Sequence, residues 1–156
     1  MSSNVRVLIL DDDENASALL EYRLSERFSN LEISVSDSPT PLPGFDIYFV
    51  DNDFDGESHL VEVVEQLRRQ NPDSLCIAFS GCLHHDTLKR LVNAGCDHVC
   101  EKGQQEELER TLNIVDDFVR NRPFARSDSG FLSTIRAVTD LFREWNRRME
   151  NSRARV

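Results

Sequence analysis

Three aspartates in a row, Asp11, Asp12 and Asp13, stand directly behind the six-residue apolar run "VRVLIL" in a chain of 156 residues. Asp51 and Asp53 follow a second apolar run, Ser80 ends a third, and Lys102 lies just beyond a fourth. Like-charged carboxylates gathered closely are unfavourable unless one takes a proton or the group takes a cation. Mg²⁺ suits such a set, because it is small, prefers oxygen ligands in an octahedron and keeps waters that a phosphoryl oxygen can replace. An aspartate held against Mg²⁺ can attack phosphorus to form an aspartyl phosphate. That transfer needs mainly positioning and charge neutralisation, which a metal and a lysine provide. The chain has only two lysines, Lys89 and Lys102, so one placed at the end of an apolar run carries weight. Aspartates behind strands also cap helices, and Asp13 needs no other role. Capping does not account for Ser80 and Lys102.

These groups must be positioned by the segments before them. Short apolar runs alternate with helix-period segments, the pattern of β/α units around a parallel sheet. Strands are expected over 5–10, 31–35, 46–50, 74–80 and 97–101, and helices over 16–28, 58–69, 86–95 and 106–121. Leu60, Val63, Val64 and Leu67 recur at helical spacing, and Gly95 stands where a helix C-cap belongs. In such a sheet ligands sit beyond the carboxyl ends of the strands. The acids, Ser80 and Lys102 all fall on that rim. One crossover is unusual: 36–45 contains Pro39, Pro41 and Pro43, and prolines at alternate positions exclude a helix. The helix after the second strand is therefore expected to be missing, leaving one patch of the sheet without its usual cover.

Composition sets the outer bounds. A hydrophobic content of 39% and a charged content of 29% describe a globular chain able to bury a core. No signal peptide or membrane span is read at the N-terminus, so a cytoplasmic location is expected. The four cysteines lack disulfide-framework or zinc spacing and are expected to be reduced thiols. The net charge of −10 divides into −15 over residues 1–119 and +5 over 120–156, where nine arginines lie. An acidic body argues against nucleic-acid binding, which needs clustered Lys and Arg.

Taken together, "VLILDDDE", "FDIYFVD", "IAFSG" and "AGCDHVCEK" resemble, in order and approximate spacing, the response-regulator receiver domain of two-component signalling, over about residues 4–121. The resemblance implies a flavodoxin-like five-stranded sheet of order 2-1-3-4-5. By position it implies Asp51 as phosphoacceptor, and Asp11 and Asp12, with Asp51 and the backbone carbonyl of Asp53, as Mg²⁺ ligands. It implies Ser80 as the hydroxyl that moves onto the phosphoryl group and Lys102 as its counter-ion. A histidine kinase or phosphotransfer protein is the implied partner. The only implied catalysis is that of the chain's own phosphorylation and dephosphorylation.

Four features depart from the family pattern: a short "NDFD" between Asp51 and Gly56, Gly103 where a proline is usual, Val99 where an aromatic is usual, and the missing helix. They leave open a second reading, a pseudo-receiver that is never phosphorylated and acts as an interaction module. A third reading rests on "DNDFDG", which resembles the first motif of haloacid-dehalogenase-type phosphatases. The acidic "IVDD" at 114–117 would have to supply that family's last motif, yet it lies on a helix-period stripe. Beyond a linker at 122–130, Phe131, Ile135, Val138, Phe142, Trp145 and Met149 recur at heptad spacing. An amphipathic helix over 131–152 is expected, pairing in a homodimer, folding back on the body or docking on a partner.

Overall fold

The structure, a computed structural model, describes residues 4–121; the linker at 122–130 and the helix expected over 131–152 lie outside them. The elements run β1 (Val5–Leu10), α1 (Glu14–Arg27), β2 (Leu31–Ser36), β3 (Ile47–Val50), β4 (Asp53–Phe54), β5 (Glu57–Ser58), α2 (Leu60–Gln70), β6 (Leu75–Ser80), α3 (His85–Ala94), β7 (His98–Glu101) and α4 (Gln105–Asn121). Five strands form one sheet in the order β2-β1-β3-β6-β7, and every pairing in it is parallel. Counting only these strands, the order is 2-1-3-4-5, as the family resemblance implies. The remaining two strands, β4 and β5, form a small antiparallel hairpin where the sequence suggests only a short loop.

The central strands carry helices on both faces, so they read as unbroken apolar runs: β3 and β6 are buried at every position. Alternate residues divide into two cores. Leu8, Leu10, Tyr48 and Val50 face α2 and α3, while Val7, Ile9, Ile47 and Phe49 face α1 and α4. Full burial of each large apolar side chain contributes about 1.5–3 kcal/mol. Asp13 opens α1, accepting from the N–H groups of Asn15 at 3.0 Å and Ala16 at 3.2 Å. Gly95 closes α3 in the left-handed region at φ 90°, where a side chain would be strained.

As the prolines require, no helix forms between β2 and β3. The patch left without its usual cover is a polar one, as the register shows. Leu8 pairs with Ser34 and Leu10 with Ser36, so on the α2/α3 side β2 presents Glu32, Ser34 and Ser36. A helix there would find no apolar face to bury against. The loop itself covers what is apolar: Pro41 and Phe45 are buried, and the Tyr48 hydroxyl donates to the Leu42 carbonyl at 2.7 Å.

At the amino ends of β6 and β7, Arg68 of α2 ties several loops together. Its guanidinium donates to the carbonyls of Gly95 (2.6 Å), Pro72 (3.0 Å) and Ser74 (2.9 Å) and pairs with the Asp97 carboxylate. Asp97 also accepts the Cys76 N–H at 2.8 Å. Cys76, Cys96 and Cys100 are buried, Cys82 is exposed, and all four are free thiols. No helix among the described residues is long and apolar enough to cross a membrane.

Candidate functional site

The carboxyl ends of β1, β3, β6 and β7 converge, and they bring Asp11, Asp12, Asp51, Ser80 and Lys102 to one rim of the sheet. Asp11, Asp12 and Asp51 place one carboxylate oxygen each within 4.8 Å of one another. The Lys102 ammonium bridges two of them, 2.7 Å from Asp11 Oδ2 and 3.2 Å from Asp51 Oδ2. Its Nζ also lies over the Phe79 ring, 5.6 Å from the ring centre. Two hydrogen bonds fix where Lys102 leaves the sheet: its N–H donates to the Ser80 carbonyl at 2.9 Å, and the Glu101 N–H donates to the buried Glu107 carboxylate of α4 at 2.7 Å.

Each acid of the cluster also accepts a backbone N–H. Asp13 donates to Asp11 Oδ1 at 2.9 Å, Asn52 to Asp51 Oδ1 at 2.7 Å, and Asp55 to Asp12 Oδ2 at 2.9 Å. Such charge-assisted bonds are stronger than neutral ones and hold the carboxylates near one another against their repulsion. The compensation is incomplete. Burial first, then the nearby Asp51 charge, pushes the Asp11 carboxyl above its usual range, although Lys102 and the Asp13 N–H oppose the shift. Burial alone would lower the Lys102 ammonium, but the Asp11 and Asp51 carboxylates outweigh it and hold the ammonium above its usual value.

Three carboxylates thus face one ammonium in a partly buried setting, and Ser80, only 1% exposed, has a hydroxyl oxygen with no hydrogen-bond partner. Oxygen donors in excess of positive charge suit a small, hard dication. The side chain of Asp53 lies outside this cluster, but its carbonyl is available. The His59 N–H donates to the Asn52 carbonyl, which makes Asn52 and His59 a hydrogen-bonded pair. The next pair in the ladder, Asp53 and Ser58, is therefore a non-bonded pair, whose N–H and C=O groups point away from the partner strand.

The expected loop after Asp51 is in fact the β4–β5 hairpin. Asp55 at φ 52° and Gly56 at φ 80° form its turn, the combination that a two-residue hairpin demands. "DG" was the legible signal, obscured because the flanking strands have two residues each. Asn52 and Asp55, which touch the cluster only through backbone N–H groups, were missed for that reason. Of the departures, Val99 is buried on β7 at 2% exposure, and Gly103 turns the chain after Lys102 at φ 82°. Residues 114–117 fall inside α4, where Asp116 pairs with Arg120 one turn on, so they bring no acid to the rim as the phosphatase reading requires.

No protein-family model matches the chain, and no curated protein sequence does so either. Solved structures do. A CheY-like response regulator receiver domain protein from Methanospirillum hungatei JF-1 superposes with a TM-score of 0.66 at 18% identity, covering 78% of this chain and 98% of that one. A response regulator from Burkholderia pseudomallei, solved with a phosphorylated aspartic acid, a calcium ion and citrate, gives 0.61 at 18% identity over 80% of this chain and 74% of that one. An adenylate cyclase from Rhodopirellula baltica gives 0.62 at 21% identity over 80% and 96%. With the strand order and the acid rim described above, these likenesses establish that the chain has the fold of a response-regulator receiver domain.

Proposed function

We propose that the chain acts as a receiver in two-component signalling: Asp51 accepts a phosphoryl group from a histidine kinase or phosphotransfer protein, and the modified chain signals through protein–protein contacts. One observation carries this reading. Asp51 directly follows the central strand β3, within a cluster of three carboxylates, and lies 3.2 Å from the Lys102 ammonium.

In the proposed transfer a carboxylate oxygen of Asp51 bonds to phosphorus as the bond from phosphorus to the donor's histidine nitrogen breaks, and that nitrogen keeps the electron pair. Lys102 neutralises charge on the phosphoryl oxygens, a role suited to an ammonium already bridging two acids. The unpartnered hydroxyl of Ser80 donates to one of those oxygens. Asp11, Asp12, Asp51 and the Asp53 carbonyl are the ligands for Mg²⁺, which when bound shields the charge between Asp51 and the incoming phosphoryl group. The output falls to the protein surface and to residues 131–152, in the same chain or across a homodimer. The compartment proposed is the cytoplasm.

The test is intact mass after incubation with Mg²⁺ and a small phosphodonor, for wild type and Asp51→Asn, with released phosphate assayed alongside. A phosphoryl adduct in wild type alone is the expected result. No adduct and no phosphate release would move the chain to the pseudo-receiver reading, and rapid hydrolysis of phosphate monoesters to the phosphatase reading.

A further inference from the structure

We propose that the β4–β5 hairpin is a positioning brace for the acid cluster, with the backbone N–H of Asp55 holding Asp12 in place for a cation. The proposal rests on the receiver reading above and deepens it.

The hairpin is anchored at its base and reaches across the site at its tip. Phe54 is 3% exposed and belongs to the core between the sheet and α2, so the hairpin cannot swing without exposing an aromatic ring. Below it, the Asn52 N–H donates to Asp51 Oδ1 at 2.7 Å, and the Ser58 hydroxyl donates to Asn52 Oδ1 at 2.7 Å. At the tip, the Asp55 N–H donates to Asp12 Oδ2 at 2.9 Å, joining residues 43 apart in sequence. Asp12 is the exposed member of the three clustered acids, and unlike Asp11 and Asp51 it has no ion pair with Lys102 among the described residues. The Asp55 N–H is thus a fixed donor supplied to it from another segment. That donor points correctly only because Asp55 and Gly56 both adopt positive φ, which keeps the turn tight. Outer contacts of this kind orient a ligand before the ion arrives, and their loss typically costs about 10–100-fold in metal affinity.

Asp55→Asn and Asp55→Pro remove the same charge but differ in the backbone. Asparagine tolerates the left-handed turn and keeps the N–H, whereas proline loses the N–H and cannot reach positive φ. Titration of the full chain with Mg²⁺ alone, by calorimetry, is expected to show about tenfold or greater weakening in Asp55→Pro relative to Asp55→Asn. Equal affinity in the two folded variants would overturn the brace and leave the receiver reading standing. A wild-type chain that takes no Mg²⁺ would overturn both. Should Asp55→Pro not fold, amide hydrogen exchange decides the matter. The Asp55 N–H is expected to be protected in the wild type and to exchange faster in Asp12→Ala, and unchanged exchange would overturn the brace.

Discussion

Two clusters of charge lie at opposite ends of the same strands, separated by the length of β6, roughly 20 Å. At the amino end, one guanidinium meets one carboxylate and three carbonyls: Arg68 with Asp97, Gly95, Pro72 and Ser74. At the carboxyl end, three carboxylates meet one ammonium, and a buried hydroxyl has no hydrogen-bond partner. The first cluster is complete as it stands and ties α2 to the starts of two strands. The second holds like charges together with N–H donors. Burial raises a carboxyl in both clusters, Asp97 in the first and Asp11 in the second, so the difference lies in three acids meeting a single ammonium. A cluster that satisfies itself serves the fold; one kept short of positive charge is prepared for something that brings it.

Variants at the two ends should therefore behave in opposite ways. The largest expected effect is Asp51→Asn, which should abolish the phosphoryl adduct in the mass spectrum; an adduct that persists would move the acceptor elsewhere. Next is Arg68→Met, which leaves Asp97 buried with only the Cys76 N–H and takes a donor from three carbonyls. It should cost about 3 kcal/mol in urea unfolding, with Mg²⁺ affinity unchanged in the folded protein. If that variant unfolded normally but bound Mg²⁺ poorly, the two clusters would not be independent.

Lys102→Met should cost less, about 2 kcal/mol at neutral pH, because one of the stranded acids can take up a proton. Linkage sets the sign of its pH dependence. A carboxyl whose folded pKa is raised contributes stability that is present below its unfolded pKa and lost as pH rises through the folded one. The deficit of Lys102→Met should accordingly shrink as unfolding is measured at progressively more acid pH. In the wild type, Asp11 follows the same rule, so at neutral pH it lowers the stability of the metal-free fold. The smallest effect on the metal-free fold is then expected from Asp11→Asn, which should raise the melting temperature by a few degrees without metal. It should also forfeit the stabilisation from saturating Mg²⁺, about 2.7 kcal/mol at a hundred times Kd. A lower melting temperature in metal-free Asp11→Asn would mean that the carboxyl end is as self-satisfied as the Arg68 cluster.

Much of this architecture is legible in the sequence, for local reasons. Apolar runs such as "VRVLIL" and "SLCIAFS" mark strands buried on both faces. Valines and leucines at helical spacing mark α2, and alternating prolines at 39, 41 and 43 exclude a helix whatever surrounds them. Because ligands collect at the carboxyl ends of parallel strands, naming those ends also names Asp11, Asp12, Asp51, Ser80 and Lys102 as neighbours. The register of β2 is within reach as well: "LEISVS" alternates, and its polar set faces the side where a helix is absent.

What only the tertiary structure decided depends on contacts between distant segments made by groups without a sequence signature. Every residue but proline has an N–H, so nothing in "DFDG" announces that the one at Asp55 reaches Asp12, 43 residues away. Arg68 looks like any arginine on the polar side of a helix until the ends of β6 and β7 come within range. Periodicity and strand-end chemistry are written along the chain, whereas the donors that hold a carboxylate in place are chosen by folding.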